Sequence, residues 1–308
     1  MNKVFVVLLA VVIVSGCVGQ DSDIFKALTS MQLSKPADLV SVNVQTPDSV
    51  FSGKDFKWWL DITPQYDIDN VAFVIYDKCI FTVGKLAPGA DAFTWPKLES
   101  NRTYTYVISY AAPAVTTETT CNVKARLSYD NWQNVSQTLN VLPENEWFER
   151  DKAGTLSELG LTKHETKSDL KVTLTWEENP PFINGRDYVL HIDYEDTGTG
   201  IMEDIKKGDI VITMPENLDI DSLIPATGQA SGWADCDDYS YADYSTDRYT
   251  GKLTLNRDLT FTDRKAKRST CTFISRSTDG NLLDTGTMFL NAKYSYKLYS
   301  DFDLKIEP

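Results

Sequence analysis

Two histidines, His164 and His191, are all that this chain of 308 residues offers for imidazole chemistry. A Ser-His-Asp hydrolase needs a histidine beside its serine, and no Gly-x-Ser-x-Gly turn supplies one. His191 sits between Leu190 and Ile192 in an alternating run, the setting of a structural histidine, and His164 falls in a linker-like stretch. Walker, Rossmann and His-Glu-x-x-His patterns are missing, so nucleotide and zinc-protease chemistry lack their parts. With 44 acidic residues, carboxylate pairs must occur somewhere, and the sequence nominates none of them as a glycosidase pair.

The densest chemistry lies in residues 232–249, GWADCDDYSYADYSTDRY. Asp235, Asp237 and Asp238 are hard oxygen ligands at close spacing, the one candidate here for a cofactor, calcium, although the EF-hand order and its glycine are missing. Trp233, Tyr239, Tyr241, Tyr244 and Tyr249 make a second reading, a ring-lined binding face, because rigid amphipathic rings give contact area at low entropic cost. The third is a solvated acidic loop whose tyrosines cover a sheet edge. Trp59 is a further candidate: neighbouring strand residues face opposite ways, so if Trp58 points inward with Phe56, Leu60 and Ile62, Trp59 points out, to pack under a preceding segment or to meet a ligand. Asn101-Arg102-Thr103 and Asn134-Val135-Ser136 are glycosylation acceptor motifs, read as turn-proximal.

These residues are carried by strands. Leu170, Val172, Leu174 and Trp176 alternate with polar neighbours, as do Tyr188 to Tyr194, Met288 to Tyr296, Val40 to Val44 and Cys121 to Tyr129. Turn residues such as Asn184-Gly185 and Asp279-Gly280 separate the runs. Short strands at this spacing predict antiparallel sandwiches. The segment 144–167 breaks the alternation and reads as an elbow, with Trp147 and Phe148 packing it against a domain and Thr155 to Glu158 a capping box for a short helix. ARLSYD (125–130) and AKYSYK (292–297) form a weak internal repeat and place a penultimate strand in each half, with closing strands at 135–142 and 301–307.

The start of the chain addresses compartment. Lys3 and the eleven apolar residues Val4 to Val14 follow the pattern of an export signal, too short to span a bilayer, which takes about 20 residues. Val14-Ser15-Gly16-Cys17 resembles the lipobox of prokaryotic lipoproteins, which implies cleavage before Cys17 and its lipidation; plain secretion is the alternative. Two lipid chains, at about 0.8 kcal/mol per buried methylene, would hold the protein permanently. Setting Cys17 aside leaves Cys79, Cys121, Cys236 and Cys271, two per half, an even count suited to disulfides in an oxidising compartment. The formal net charge is −14, which argues against nucleic acid as a partner; the basic run Arg264 to Arg268 reads as a solvated turn.

Together the lipobox, the alternation and the Ala-basic-x-Ser-Tyr strands resemble the tandem immunoglobulin-like lipoproteins of archaeal and some bacterial surfaces. The expected fold is all-β: two antiparallel immunoglobulin-like β-sandwich domains in tandem after a lipoprotein signal peptide and a short tether. The expected division is 1–16 signal peptide, 17–36 lipid-anchored tether with an amphipathic turn around Ile24, Leu28 and Met31, 37–143 first domain, 144–167 elbow and 168–308 second domain. The resemblance implies an extracytoplasmic protein held to the membrane through Cys17, serving adhesion, envelope structure or binding of a surface protein or glycan, without catalysis. The rivals are a carboxylate-dependent, glycosidase-like hydrolase and a substrate-binding accessory lipoprotein, the latter of a class built from two α/β lobes.

Overall fold

The computed structural model describes residues 28–32, 39–84, 91–220, 236, 238–244, 251–276 and 283–308. The principal strands are β1 Leu28–Gln32, β2 Val40–Pro47, β3 Asp55–Pro64, β4 Ile68–Asp77, β5 Ala92–Leu98, β6 Tyr104–Ala111 and β7 Thr119–Leu142, then β8 Leu170–Trp176, β9 Asp187–Asp196, β10 Ile210–Thr213, β11 Gly251–Leu255, β12 Ser269–Ser275 and β13 Asp284–Glu307. Between the two sets lie α1, Glu144–Ala153, and a single 3-10 turn, Leu156–Leu159. The fold is all-β, and among the described residues the pairings are antiparallel apart from two short parallel contacts, Phe182–Ile183 with β7 and Ser49–Phe51 with β13.

Each half is a sandwich. In the first, the sheet β1-β2-β3-β6 faces β7-β4-β5; in the second, β8-β9-β12 faces β13-β10-β11. Alternation sets the faces: Val40, Val42 and Val44 are buried, as are Phe56, Trp58, Leu60 and Ile62, with polar residues between them turned to solvent. Cys79 pairs with Cys121 and Cys236 with Cys271, one bridge in each half.

The two facing sheets that carry β7 and β13 are one sheet. These strands are 24 residues each, against about five or six for an ordinary strand, and they pair with each other along their length, from Thr119 opposite Ile306 to Val141 opposite Asp284. At about 3.3 Å per residue each runs close to 80 Å. The expected penultimate and closing strands are therefore single strands. Neither glycine nor proline interrupts 119–142, and the buried odd positions continue through Asn131, Gln133 and Gln137. Those polar side chains keep their hydrogen bonds: Trp132 N–H donates to Asn131 Oδ1 (2.7 Å), Thr166 Oγ1 to Gln133 Oε1 (3.3 Å) and Trp176 Nε1 to Gln137 Oε1 (2.9 Å). The repeated motifs lie face to face, Tyr129 directly opposite Tyr296.

This register exchanges the strand ends between the halves. The first part of β7 belongs with β4 and β5, and its continuation closes the second sandwich; β13 does the reverse. Phe302, near the C-terminus, thus fills the first core, 5.1 Å from Trp58 between ring centroids.

Two expectations for the connecting segments change. Leu28 and Met31 lie in a strand that extends the first sheet, not in an amphipathic turn, because their backbone pairs with Pro47 and Val44; Ile24 lies outside the described residues. The elbow holds an α-helix ahead of the expected one, and Thr155 makes no side-chain cap bond. Trp147 packs and donates to the Pro181 carbonyl (3.0 Å), but Phe148 stays 44% exposed.

Truncating Phe302 tests the exchange. Phe302→Ala should cost about 3–5 kcal/mol, as for other buried aromatic truncations, and urea unfolding followed by tryptophan fluorescence and circular dichroism should remain one transition. Two transitions, only one of them shifted, would show that the halves are independent.

Candidate functional site

The centre of the shared sheet gathers a cluster of buried ionisable groups. Tyr129 and Tyr296, ring centroids 5.8 Å apart, each reach a buried aspartate. Tyr129 donates to Asp169 Oδ2 (2.8 Å), and the Tyr296 hydroxyl is hydrogen-bonded to Asp196. Tyr294 adds a longer bond to Asp169 (3.4 Å) and accepts from Ser168 Oγ (2.9 Å) and from the Asp169 N–H (3.2 Å). The neighbouring turn approaches so closely that a Cβ at Gly198 would collide with the Tyr296 hydroxyl and one at Gly200 with the Lys297 carbonyl. Arg264 closes this cluster by donating to the Gly198 carbonyl. The basic run is the solvated turn its composition suggests: Arg264 sits in the turn of a tight hairpin and Lys265 begins its return strand, both exposed, while the exposed Arg268 grips Asp193 with two bonds, 2.7 and 3.0 Å.

Burial raises the Tyr129 hydroxyl well above its ordinary value, and the Asp169 charge raises it further. Burial likewise lifts Asp196 above the usual carboxylate range, against the opposing pull of Arg264 and the Gly198 N–H. Asp169 is 2% exposed and Asp196 6%, so the pair lies within the protein and not on an open cleft. Sequence reasoning did not single out either acid. The available signal was Gly198-x-Gly200 directly after a strand ending in Asp196, a spacing that marks close backbone approach.

Above this cluster, on the outer face of the sheet, a groove of about 360 Å³ lies between residues 201–209 and β13. Its charges are mixed: Glu203, Asp204 and Asp209 against Lys206, Lys293 and Lys297, with Tyr299 at its rim. Lys297 pairs with Glu203, and Lys293 reaches Asp130 (3.3 Å), which burial pushes up but bonds from Ser295, Asn70 and Lys293 bring below the usual carboxylate range. The groove suits a small ligand carrying both hydrogen-bond donors and acceptors.

The residues expected to act are scattered. Tyr239 is 1% exposed, its hydroxyl against that of Tyr194, which removes it from any ring-lined surface. Tyr241 and Tyr244 lie on the strand Tyr239–Tyr244 paired with β11, while Trp233, Tyr249, Asp235 and Asp237 fall outside the described residues, as does Cys17. Asp238 turns inward, its oxygens held by Arg257 and by Ser269 Oγ (2.8 Å). Among the described residues no three His, Cys, Asp or Glu side chains gather as a metal-holding group. Trp59 does face outward and is half-buried; the strand Leu28–Gln32 lies beyond β2 from it and extends the sheet. His191 is satisfied by Thr270 and Glu177, and His164 is exposed. Asn101 occupies an exposed turn with φ 56°, whereas Asn134 sits mid-strand, not near a turn, and is exposed.

Comparison with known proteins finds no matching family model and no matching curated protein. Among the solved structures that share distant similarity are the following three. The C-terminal globular domain of an oligosaccharyltransferase from Pyrococcus abyssi is 12% identical over 85% of this chain, with a TM-score of 0.25, and the match covers 46% of that domain's chain. A putative membrane anchored protein from Corynebacterium diphtheriae is 10% identical, covering 87% of this chain and 92% of its own, at a TM-score of 0.23. Alpha-2-macroglobulin from Escherichia coli, activated by porcine elastase, is 9% identical over 81% of this chain and 21% of its own, at 0.15.

The raised Asp196 carboxyl makes stability depend on pH. The folded protein holds this proton more tightly than the unfolded chain, so the group favours folding below its ordinary value, near pH 4, and that contribution falls away as the pH rises through the raised value. Asp196→Asn removes the titration. The stability of the wild type relative to this variant should therefore decline from about pH 4 upward in thermal melts. A difference that stays constant across that range would refute the assignment.

Proposed function

We propose that the chain is an extracytoplasmic protein, anchored to the outer face of the cell membrane through lipid on Cys17, that acts by binding or by envelope structure and not by catalysis. The carrying observation is the cysteine pattern: four of the five are joined as Cys79–Cys121 and Cys236–Cys271, and the fifth follows an export-type apolar run. Disulfides persist in oxidising compartments, which supports placement outside the cytoplasm. No helix among the described residues is long and apolar enough to cross a membrane, so on this reading attachment falls to the lipid.

The central acids support a structural role. A hydrolytic pair needs one carboxylate to meet water or a sugar and another to donate a proton, within about 5–10 Å across an open site. Asp169 and Asp196 are instead covered by the tyrosine rings and engaged by their hydroxyls. The mixed-charge groove and the exposed outer sheet face are the surfaces available for a partner.

Pairing of Leu28–Gln32 with β2 also shortens the leash. From Cys17 to Leu28 there are eleven residues, which reach at most about 40 Å when fully extended. The first sandwich would stand close to the bilayer, with the second farther along the 80 Å spine.

Detergent phase separation of cell extracts tests the anchor. The wild type should enter the detergent phase, and Cys17→Ser should move to the aqueous phase or the medium. Equal partitioning of both forms, with the first sixteen residues still present by mass, would remove the lipid from this account.

A further inference from the structure

We infer that Asn134 carries an N-linked saccharide whose first rings lie on the exposed side chains of Trp132 and Phe289. The inference rests on the extracytoplasmic placement proposed above, and it concerns a different site from the anchor.

The outer face of the long strand pair is mostly polar, with Asn122, Lys124, Arg126 and Ser128 along one strand and Asn291, Lys293 and Ser295 along the other. Two large apolar side chains interrupt it next to the acceptor motif: Trp132, 46% exposed, and Phe289, 48% exposed. Their placement follows from the register. Trp132 is two residues before Asn134 on the same face of β7. Asn134 lies directly opposite Asn291, so Phe289 is its diagonal neighbour across the strand pair, where side chains come within about 7–8 Å of one another. Ser136, the hydroxyl residue of the motif, is directly opposite Phe289. The acceptor asparagine is thus bracketed by two exposed rings on one face of the strand pair.

Asn134 is also free to react. Its backbone is tied to Thr166, with its N–H donating to Thr166 Oγ1 (3.0 Å) and its carbonyl accepting from the Thr166 N–H (3.0 Å), while its side-chain amide has no partner among the described residues. The neighbouring asparagines differ: Asn140 donates to the Leu159 carbonyl, and Asn122 to Asp301 and Asp303. The second acceptor motif makes a useful contrast. Tyr104, the aromatic residue near Asn101, already has the Arg102 guanidinium over its ring at 5.3 Å.

The chemistry of the surface selects a sugar as its cover. A pyranose presents a face of C–H bonds whose hydrogens are slightly positive, and this face lies well on the negative π-face of an aromatic ring. Its hydroxyls remain at the rim, where Asn291 and Lys293 can meet them. Attachment joins the Asn134 side-chain nitrogen to the anomeric carbon of a glycosyl donor activated as a phosphate ester. The carbon–oxygen bond to phosphate breaks, the phosphate leaves with the electron pair, and the amide proton passes to a base of the transferase.

Mass spectrometry of the protein recovered from the envelope of the cells that make it is the direct test. The expected result is a saccharide mass on the peptide containing Asn134, lost in both Asn134→Gln and Ser136→Ala. Hydroxyl-radical footprinting should then show Trp132 and Phe289 oxidising severalfold faster in either variant than in the wild type, with Trp147 unchanged as an internal reference. A bare Asn134 in protein whose Cys79–Cys121 and Cys236–Cys271 bridges are formed overturns the saccharide and leaves the extracytoplasmic placement standing. A bare Asn134 with all cysteines reduced overturns both. A modified Asn134 whose removal leaves Trp132 and Phe289 equally reactive overturns the seating of the sugar on the rings.

Discussion

The antiparallel pairing of two 24-residue strands is the constraint on which the rest of the architecture depends. A strand in a sandwich is normally held by neighbours close in its own domain, and the border between tandem domains falls where few contacts cross. Here the border is crossed by a ladder from Thr119 opposite Ile306 to Val141 opposite Asp284. Each half borrows its closing strand from the other, so neither core is complete within one stretch of chain. Phe302 against Trp58 shows this in side chains: the far end of β13 seals the core made by the strands of the first half. Long-range pairing of this kind delays the gain in contacts until much of the chain is available, which predicts slow folding relative to a tandem of self-contained domains.

The same pairing explains where two of the buried acids, Asp169 and Asp196, lie. Tyr129 and Tyr296 face each other near the middle of the long strand pair, where the chain passes from one half to the other. Tyrosine suits that place because it contributes a large apolar ring and a hydroxyl that can satisfy a buried acceptor. Tyr129 serves Asp169 and Tyr296 serves Asp196. Polar groups that would be costly in an apolar core become specific here, since a register shifted by one residue would turn both rings to the opposite face and leave both carboxylates without them.

Local chemistry was legible in the sequence, and connectivity was not. The period-two alternation in LKVTLTWE or in Cys121 to Tyr129 is a direct consequence of one buried face, so strands and their inward residues could be read from it. The cysteine count pointed to two bridges for the same kind of reason. What alternation does not carry is where one strand stops and the next begins. Asn131, Gln133 and Gln137 look like a turn or a loop approach by composition, yet each is inward-facing and hydrogen-bonded to a residue 1, 33 or 39 positions away, and the strand runs on. The match between ARLSYD and AKYSYK marked equivalent positions correctly but said nothing about those positions facing each other.

The candidate site followed the same division. Residues 232–249 stood out by composition, and composition is blind to direction: Tyr239 and Asp238, two of the most suggestive side chains there, point into the core. Conversely Asp169 is one of 44 acids in the chain, with nothing in its neighbours to announce that two ring hydroxyls and a tight glycine turn would converge around it. Outer-face residues were easier to anticipate when their function depends on exposure alone. The Asn134 motif is readable as three letters, but its significance comes from Trp132 beside it and Phe289 across the strand pair, 155 positions later in the chain and brought alongside only by the register of β7 with β13. A polar sheet face with two exposed rings, beside an asparagine whose side chain has no partner among the described residues, leaves apolar surface open to water. A group attached at that asparagine can cover the rings without disturbing the strand pairing underneath, because the amide that would carry it makes no bond that the sheet needs.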